Sequence, residues 1–479
     1  LGSSFWGSPK AFPVEDWRAM GERWSGCVPW LARWSGSPWA PGCARGAECE
    51  ELSPTRRITP TSLDESISRL AAGVRDWRPA GRFTFVRTLQ SAPRNHGRVD
   101  AWQDALQVGG FVAVKRMPRW WIGSGPEDFC RRRPGELERP WHDLGVVREL
   151  GRRRYPYACR LEGIFEDETH VYAMTALATH GDLLDWSCGL PADPALRELE
   201  VAPVAAQLCV AVRQLHELGL AHCDISLENV VLSAGPQPGT PLQLKLIDFG
   251  MSALGRIQRD VALGKRSYCA PEVWRGGPVD AFLADAFSVG VALFCLAAGV
   301  YPWPDTRPGA SRALEHAKRV GMEAHLAARR ARGDGALPGL SRQLEALLAG
   351  LLEPDPASRM CLGESCYLSR RPFNRLARAC LPAPPALRRS AFGCEWLRAA
   401  AGAPRPDAPG EAQGLQLLGG GLAQRHAHGR SATQALRQPP GWRRARRQPG
   451  VLYLLQHGAL HGGPGRAARR ARERRRGRP

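Results

Sequence analysis

From Arg82 onward, hydrophobic and polar positions alternate in patterns that predict regular elements. Phe83-Thr84-Phe85-Val86 alternates as a half-buried strand does, and residues 110–114 read as a second strand. Residues 164–176 read as a strand pair folded about the Glu166-Asp167-Glu168 turn, and residues 141–150 carry apolar side chains at helical spacing. Further on the spacing is helical, over 201–218, 281–300, 313–332 and 340–352. The pattern predicts a small strand-rich region followed by a larger helical one. Within the strand-rich region an insertion follows Lys115, running from Arg116 to about Pro140 with Trp120-Trp121 and Arg131-Arg132-Arg133.

The flanks look different. Residues 1–80 hold seven Trp among many Gly and Pro, and only 61–70 suggest a short capped helix. Residues 376–479 are rich in Gly, Pro, Ala and Arg, without a fold signal. The expected organisation is a mostly disordered extension over 1–80, a folded domain over 81–375 and a mostly disordered basic tail over 376–479.

Composition sharpens this division. The chain has 479 residues, 43% of them hydrophobic, enough for a sizeable core, and a net charge of +20. Residues 380–479 carry 19 Arg against four acidic residues, or +15 of that total. Global basicity therefore belongs to the tail and says little about the folded domain. The eight Arg within 466–478 suit nucleic acid, an acidic partner, an anionic membrane or a nuclear address; a solvated Arg-biased extension suits them equally. Fourteen Cys are scattered without zinc-ligand spacing, and Cys209 and Cys295 fall in apolar helix-like runs as core residues do. With no secretory signal evident, an intracellular address is expected, cytoplasmic or nuclear.

The chemistry concentrates in one stretch. Ala221-His222-Cys223-Asp224-Ile225-Ser226-Leu227-Glu228-Asn229 is followed nineteen residues later by Asp248-Phe249-Gly250. Asp224 stands where a carboxylate can take up a hydroxyl proton, though a turn aspartate capping a helix would look the same. Asn229 and Asp248 offer oxygen ligands of the kind Mg²⁺ demands.

These pieces resemble the catalytic and metal-binding loops of eukaryotic protein kinases, and further matches follow in the order of that family. Val112-Ala113-Val114-Lys115 resembles the third strand with its phosphate-binding lysine. Gly264 to Glu272, ending Ala270-Pro271-Glu272, resembles the end of an activation segment, and Asp285-Ala286-Phe287-Ser288-Val289-Gly290 the start of the central C-lobe helix. Arg359 matches the late arginine that pairs with the glutamate at 272.

The resemblance implies a bilobal α+β protein-kinase fold, with a small β-rich N-lobe and a larger helical C-lobe. It implies ATP and Mg²⁺, with Asp224 as base, Asn229 and Asp248 as metal ligands, and Lys115 on the phosphates. Val99 and Ala113 would cover the adenine from above and Val231 from below. Thr175 would be a small gatekeeper before a hinge at Ala176-Leu177-Ala178, with Asp182 near the ribose. Glu272 with Arg359, and Asp285, would form structural ion pairs. The apolar run 281–300 passes for a membrane span by length, but Asp285 lies within it and the resemblance makes it a buried core helix with no span.

Departures from the family pattern matter as much. Asp143 falls where the family has the glutamate partner of Lys115, one methylene short, with Glu138 and Glu149 as alternatives off the expected face. The glycine-rich loop is reduced to Ala92-Pro93-Arg94-Asn95-His96-Gly97-Arg98-Val99, where only Gly97 and Val99 match and Arg94 or His96 would supply charge instead. Cys223 replaces the arginine that reads a phosphorylated activation loop, and Ser252 is the one hydroxyl between Gly250 and Gly264. Control by activation-loop phosphorylation is therefore not expected. Lys265 stands where the family has threonine, and Ser226 where its Ser/Thr members have lysine; the tyrosine-kinase pattern after Asp224 is absent. The resulting expectation is a monomeric Ser/Thr protein kinase acting on protein substrates. The alternatives are a pseudokinase scaffold and a nucleic-acid-binding tail with the kinase fold as passenger.

Overall fold

Helix α1 (Pro60–Ala72) starts at Thr59, whose hydroxyl accepts from the Ser62 amide while Ser62 Oγ accepts from the Thr59 amide. This reciprocal cap satisfies two orphan donors and fixes the helix start. The computed structural model describes residues 57–92, 96–106, 110–234, 242–259, 264–333, 337–368 and 389–400. Residues 1–56, the tail from 401, and Pro93-Arg94-Asn95 of the expected nucleotide loop lie outside the described residues.

The N-lobe is a six-stranded sheet of β1 (Arg75–Asp76), β2 (Phe83–Ala92), β3 (Gly97–Asp104), β4 (Phe111–Pro118), β5 (Leu161–Glu166) and β6 (His170–Ala176). The strand order is β1-β5-β6-β4-β3-β2, antiparallel except for β1 against β5. Alternation along β4 sets what each face does. Val112 and Val114 pack with Tyr172 and Met174 on one face, leaving Ala113 and Lys115 to the other.

The insertion after β4 is built into the lobe. It forms α2 (Arg119–Ile122) and α3 (Pro126–Arg132), whose Trp121, Ile122 and Phe129 are buried with Trp141 and Leu144. The latter two belong to α4 (Pro140–Arg152), which carries Asp143. On its other side α4 meets α1. A Cβ added at Gly145 would overlap the Ile67 side chain, so the two helices approach as closely as a glycine allows. Ser66 Oγ donates to the buried Glu149 carboxylate, which also pairs with Arg153. The Ile58 amide donates to Leu218 O at 2.8 Å, tying the same segment to the C-lobe.

In the C-lobe, α5 (Leu183–Ser187) and α6 (Pro194–Glu217) lead into β7 (Leu220–Ala221), β8 (Val230–Ser233), β9 (Gln243–Leu246) and β10 (Ala253–Leu254). Helix α7 (Ala281–Ala298) is buried along its whole length. It is long and apolar enough to cross a membrane by composition, but 94% of that window is covered by protein, as expected of a core helix.

Two expectations need correction. Residues 313–332 form two helices, α8 (Arg312–Val320) and α9 (Met322–Ala331), because Gly321 at φ 86° breaks the run. The packed region also exceeds 81–375 at both ends, beginning with α1. Beyond α10 (Arg342–Leu351), residues 389–400 pack on the C-lobe. There Ala391 and Leu397, the latter in α11 (Glu395–Ala400), are fully buried, and Trp396 Nε1 donates to Glu198 at 2.6 Å. Residues 389–400 are too short and too biased in composition to show periodicity, and burial against the domain is what orders them.

Candidate active site

The catalytic loop hangs from one buried carboxylate. Asp285 accepts from the His222 amide at 2.7 Å and from the Cys223 amide at 2.9 Å. Its charge is answered by His216, whose Nε2 lies 3.0 Å from Asp285 and whose Nδ1 lies 2.6 Å from Glu364. Burial pushes the His216 imidazole down, but the two carboxylates outweigh it and hold its pKa up at about 9. The two amide bonds hold Cys223 at φ 64°, a left-handed conformation uncommon outside glycine. Strain of this kind persists only where the surroundings enforce it, and here it delivers Asp224 into the cleft.

Asp224 is buried beside Asn229, whose Nδ2 donates to Asp224 O at 2.8 Å and to Asp224 Oδ2 at 2.9 Å. That commits the amide nitrogen and leaves the amide oxygen for a cation. The Ile247 amide donates to Asn229 O at 3.0 Å, so the strand leading into Asp248 is tied to the same residue. Asp248 has φ 64° and keeps a partly exposed carboxylate, while Phe249 beside it is fully buried.

Lys115 collects three carboxylates. Its Nζ lies 3.5 Å from Asp143, 3.7 Å from Glu138 and 3.8 Å from Asp248. Burial works against the ammonium, yet the three charges together raise its pKa above the ordinary lysine value. Asp143 also accepts from the Phe249 amide at 2.9 Å, which joins α4 to the Asp248-Phe249-Gly250 loop. Its carboxyl is pushed up, first by burial and then by Asp248, against the pull of Lys115. Asp143 is thus one partner of Lys115, and Glu138 is a second that helical spacing disfavoured. Glu138 reaches the lysine because it lies just before α4 instead of on it. Glu149 is engaged elsewhere, with Ser66 and Arg153.

The remaining expected residues line up around the strands. Val99 pairs with Lys115 and Ala113 with Thr175 across the sheet. Leu177, between Ala176 and Ala178, donates its amide to Phe111 O at 3.2 Å. Val231 bridges to Asp182, which also caps α5 by accepting from the Asp185 amide at 2.8 Å. Burial pushes the Asp182 carboxyl up to about 6. Gly97 opens β3, and His96 before it, at φ 55°, lies with its ring 4.8 Å from that of Trp120. His96 therefore leans on the insertion. Glu272 and Arg359 form a buried bidentate pair at 2.6 and 2.9 Å.

Two oxygen donors, one neutral and one charged, fit a magnesium ion that takes its other ligands from phosphate and water. Lysine on the opposite side of Asp248 fits a polyphosphate. Sequence reasoning did not find the contact between Lys265 and Ser226, with Nζ to Oγ at 2.7 Å, or the Lys265–Glu228 pair at 2.9 Å. The signal was present in a chain with five Lys: one of them stood at an unusual place, opposite an unusual serine.

Comparison with known proteins agrees with this geometry. The protein kinase domain family model matches residues 135–368. The matched stretch starts after Lys115, so β1–β4 of the N-lobe rest on their sheet pairing and contacts. CBL-interacting protein kinase 4 of Oryza sativa subsp. japonica is 33% identical over 46% of this chain and 45% of its own length. Calcium/calmodulin-dependent protein kinase type IV of Homo sapiens is 34% identical over 34% of this chain and 33% of its own. The chain thus spans less than half the length of these two relatives. Testis-specific serine/threonine-protein kinase 3 of Mus musculus is 30% identical over 62% of this chain and 94% of its own length. The order of the motifs, the two-lobed fold and this near-complete coverage lead to one conclusion: the chain belongs to the eukaryotic protein kinase family.

Proposed function

We propose that the protein transfers the γ-phosphate of ATP to serine and threonine hydroxyls of protein substrates. The observation that carries this reading is the pair of contact sets Asp143–Lys115–Asp248 and Asp224–Asn229, joined through the Ile247 amide that donates to Asn229 O beside Asp248. The substrate hydroxyl oxygen bonds to the γ-phosphorus, the bond to the β–γ bridging oxygen breaks, ADP leaves, and the hydroxyl proton passes to Asp224. Lys115 would hold the phosphates, and Asn229 with Asp248 would hold Mg²⁺, which when bound neutralises phosphate charge. The serine/threonine preference follows the printed names of relatives such as the mouse kinase. An intracellular address goes with ATP as donor and with Cys209 and Cys295 as buried thiols.

Activity independent of activation-loop phosphorylation is part of the proposal. Ser252 is fully buried, its Oγ is 2.9 Å from His142 Nε2, and its carbonyl accepts from Arg139. A hydroxyl held in this way is a poor phosphate acceptor, and Cys223 has no charge with which to read one.

The test incubates the full chain with labelled ATP, Mg²⁺ and degenerate peptides carrying Ser, Thr or Tyr as sole acceptor, before and after phosphatase treatment. Label is expected on Ser and Thr peptides, equally in both samples. Label on none of the peptides would leave a pseudokinase scaffold, and loss after phosphatase would overturn the independence.

A further inference from the structure

We propose that Lys265, carried by the activation segment, supplies the cation that meets the transferred phosphoryl group, with Ser226 of the catalytic loop in the reciprocal place. The proposal rests on the kinase reading above. Phosphoryl transfer spreads negative charge over the migrating group and needs a fixed cation where that charge develops. The loop from Asp224 to Asn229 contains no cation of its own. Lys115, which would hold the phosphates upstream of the transferred group, is paired with Asp143, Glu138 and Asp248. Arg139 donates to Ser252 O at 2.7 Å.

Lys265 fills the gap. Its Nζ lies 2.7 Å from the hydroxyl of Ser226, two residues after the base. Glu228 at 2.9 Å holds it from the other side, and its side chain stays partly open at 22% exposure. The position is built from the backbone up. A Cβ at Gly264 would fall 2.7 Å from Asp224 Oδ1 and 3.0 Å from Cys223 O, so the segment passes against the catalytic aspartate and its next residue must emerge there. Lys265 O in turn accepts from the amides of Tyr268 at 2.9 Å and Cys269 at 3.0 Å. The two departures from the family pattern, serine at 226 and lysine at 265, thus face each other across a single hydrogen bond, and the charge stands beside the base. The reaction balances as before: the O–P bond forms, the bridging bond breaks, the proton goes to Asp224, and Lys265 gives or takes none.

The competing role is a tether, with Lys265 only pinning the activation segment to the loop. Full-length parent, Lys265→Met, Lys265→Thr and Ser226→Lys/Lys265→Thr separate the two roles by transfer kinetics and by calorimetry of ATP and ADP binding. In Lys265→Met, kcat is expected to fall by about 10²-fold. The preference for ATP over ADP should narrow by about tenfold with ADP affinity kept. The double variant should recover about tenfold or more of the kcat lost in Lys265→Thr. A Lys265→Met enzyme within about threefold of parent kcat overturns the proposal. So does a double variant no better than Lys265→Thr, and so does an unchanged ATP-to-ADP ratio. If Lys265→Met binds neither nucleotide because it does not fold, the double variant decides. A parent that transfers no label defeats the kinase reading alone, and the ATP-to-ADP ratio then still judges the contact.

Discussion

Asp143 is one carbon shorter than the residue its place calls for, and the site compensates with a second acid. Lys115 sits between Asp143 at 3.5 Å and Glu138 at 3.7 Å, both buried. The two are not equivalent, since Asp143 also accepts from the Phe249 amide and so couples α4 to the Asp248-Phe249-Gly250 loop. Asp143→Asn should therefore lower kcat/KM by about 10²-fold and Glu138→Gln by about threefold. The double variant should lose more than the product, because each acid supports the lysine when the other is gone. Steady-state kinetics on the four enzymes checks this, and a Glu138→Gln change that is silent in the Asp143→Asn background would contradict it. The chemistry of this cluster was legible in part. Lys115 and Asp143 followed from motif order, whereas Glu138 stood only as an alternative off the expected face, because helical spacing does not apply to a residue that precedes the helix.

At the scale of elements, the helix pair α1–α4 decides where Asp143 stands. Gly145 in mid-helix looks like a weakness, as glycine there costs about 0.5–1 kcal/mol against alanine. Its use is the close approach of Ile67. Gly145→Ala should destabilise the fold by about 1–3 kcal/mol through overpacking, despite the gain in helix propensity. Combined with Ile67→Ala, it should add nothing to the cost of Ile67→Ala alone. Urea unfolding measures both, and a Gly145→Ala protein more stable than its parent would contradict the close packing. The existence of α1 was readable from its cap and spacing, but its docking was not, since that depends on the absent Cβ of Gly145 and the Ile67 side chain that fills its place, a long-range contact no local pattern encodes. The split between α8 and α9 shows the same limit: apolar spacing ran through Gly321, and only its φ of 86° ended the helix.

For the molecule as a whole, the basic surplus and the catalytic fold are separate properties of one chain. The +15 of residues 380–479 includes the few that dock on the C-lobe, and most of it lies beyond Ala400. Leu397 and Ala391 are buried against the domain. A chain ending at residue 400 should therefore melt as the full chain does, whereas one ending at 375 should melt lower by several degrees, roughly as a loss of 1–2 kcal/mol implies. Equal melting of the two truncations would show that the docked segment contributes nothing. The C-lobe was the most legible part because its motifs are tied to chemistry that tolerates few substitutes. The N-lobe was less so, with a nucleotide loop that keeps only Gly97 and Val99 of its pattern and a strand order that no local signal encodes.

On the proposed function, Lys115, Asp224, Asn229 and Asp248 meet in one cleft to move a phosphoryl group. Single-turnover transfer from saturating Mg²⁺–ATP to a serine peptide, parent beside Asp224→Asn, tests it most directly. The parent should transfer label, and the variant's rate should be lower by about 10²–10⁴-fold with ATP affinity little changed. Equal rates in the two proteins would contradict it.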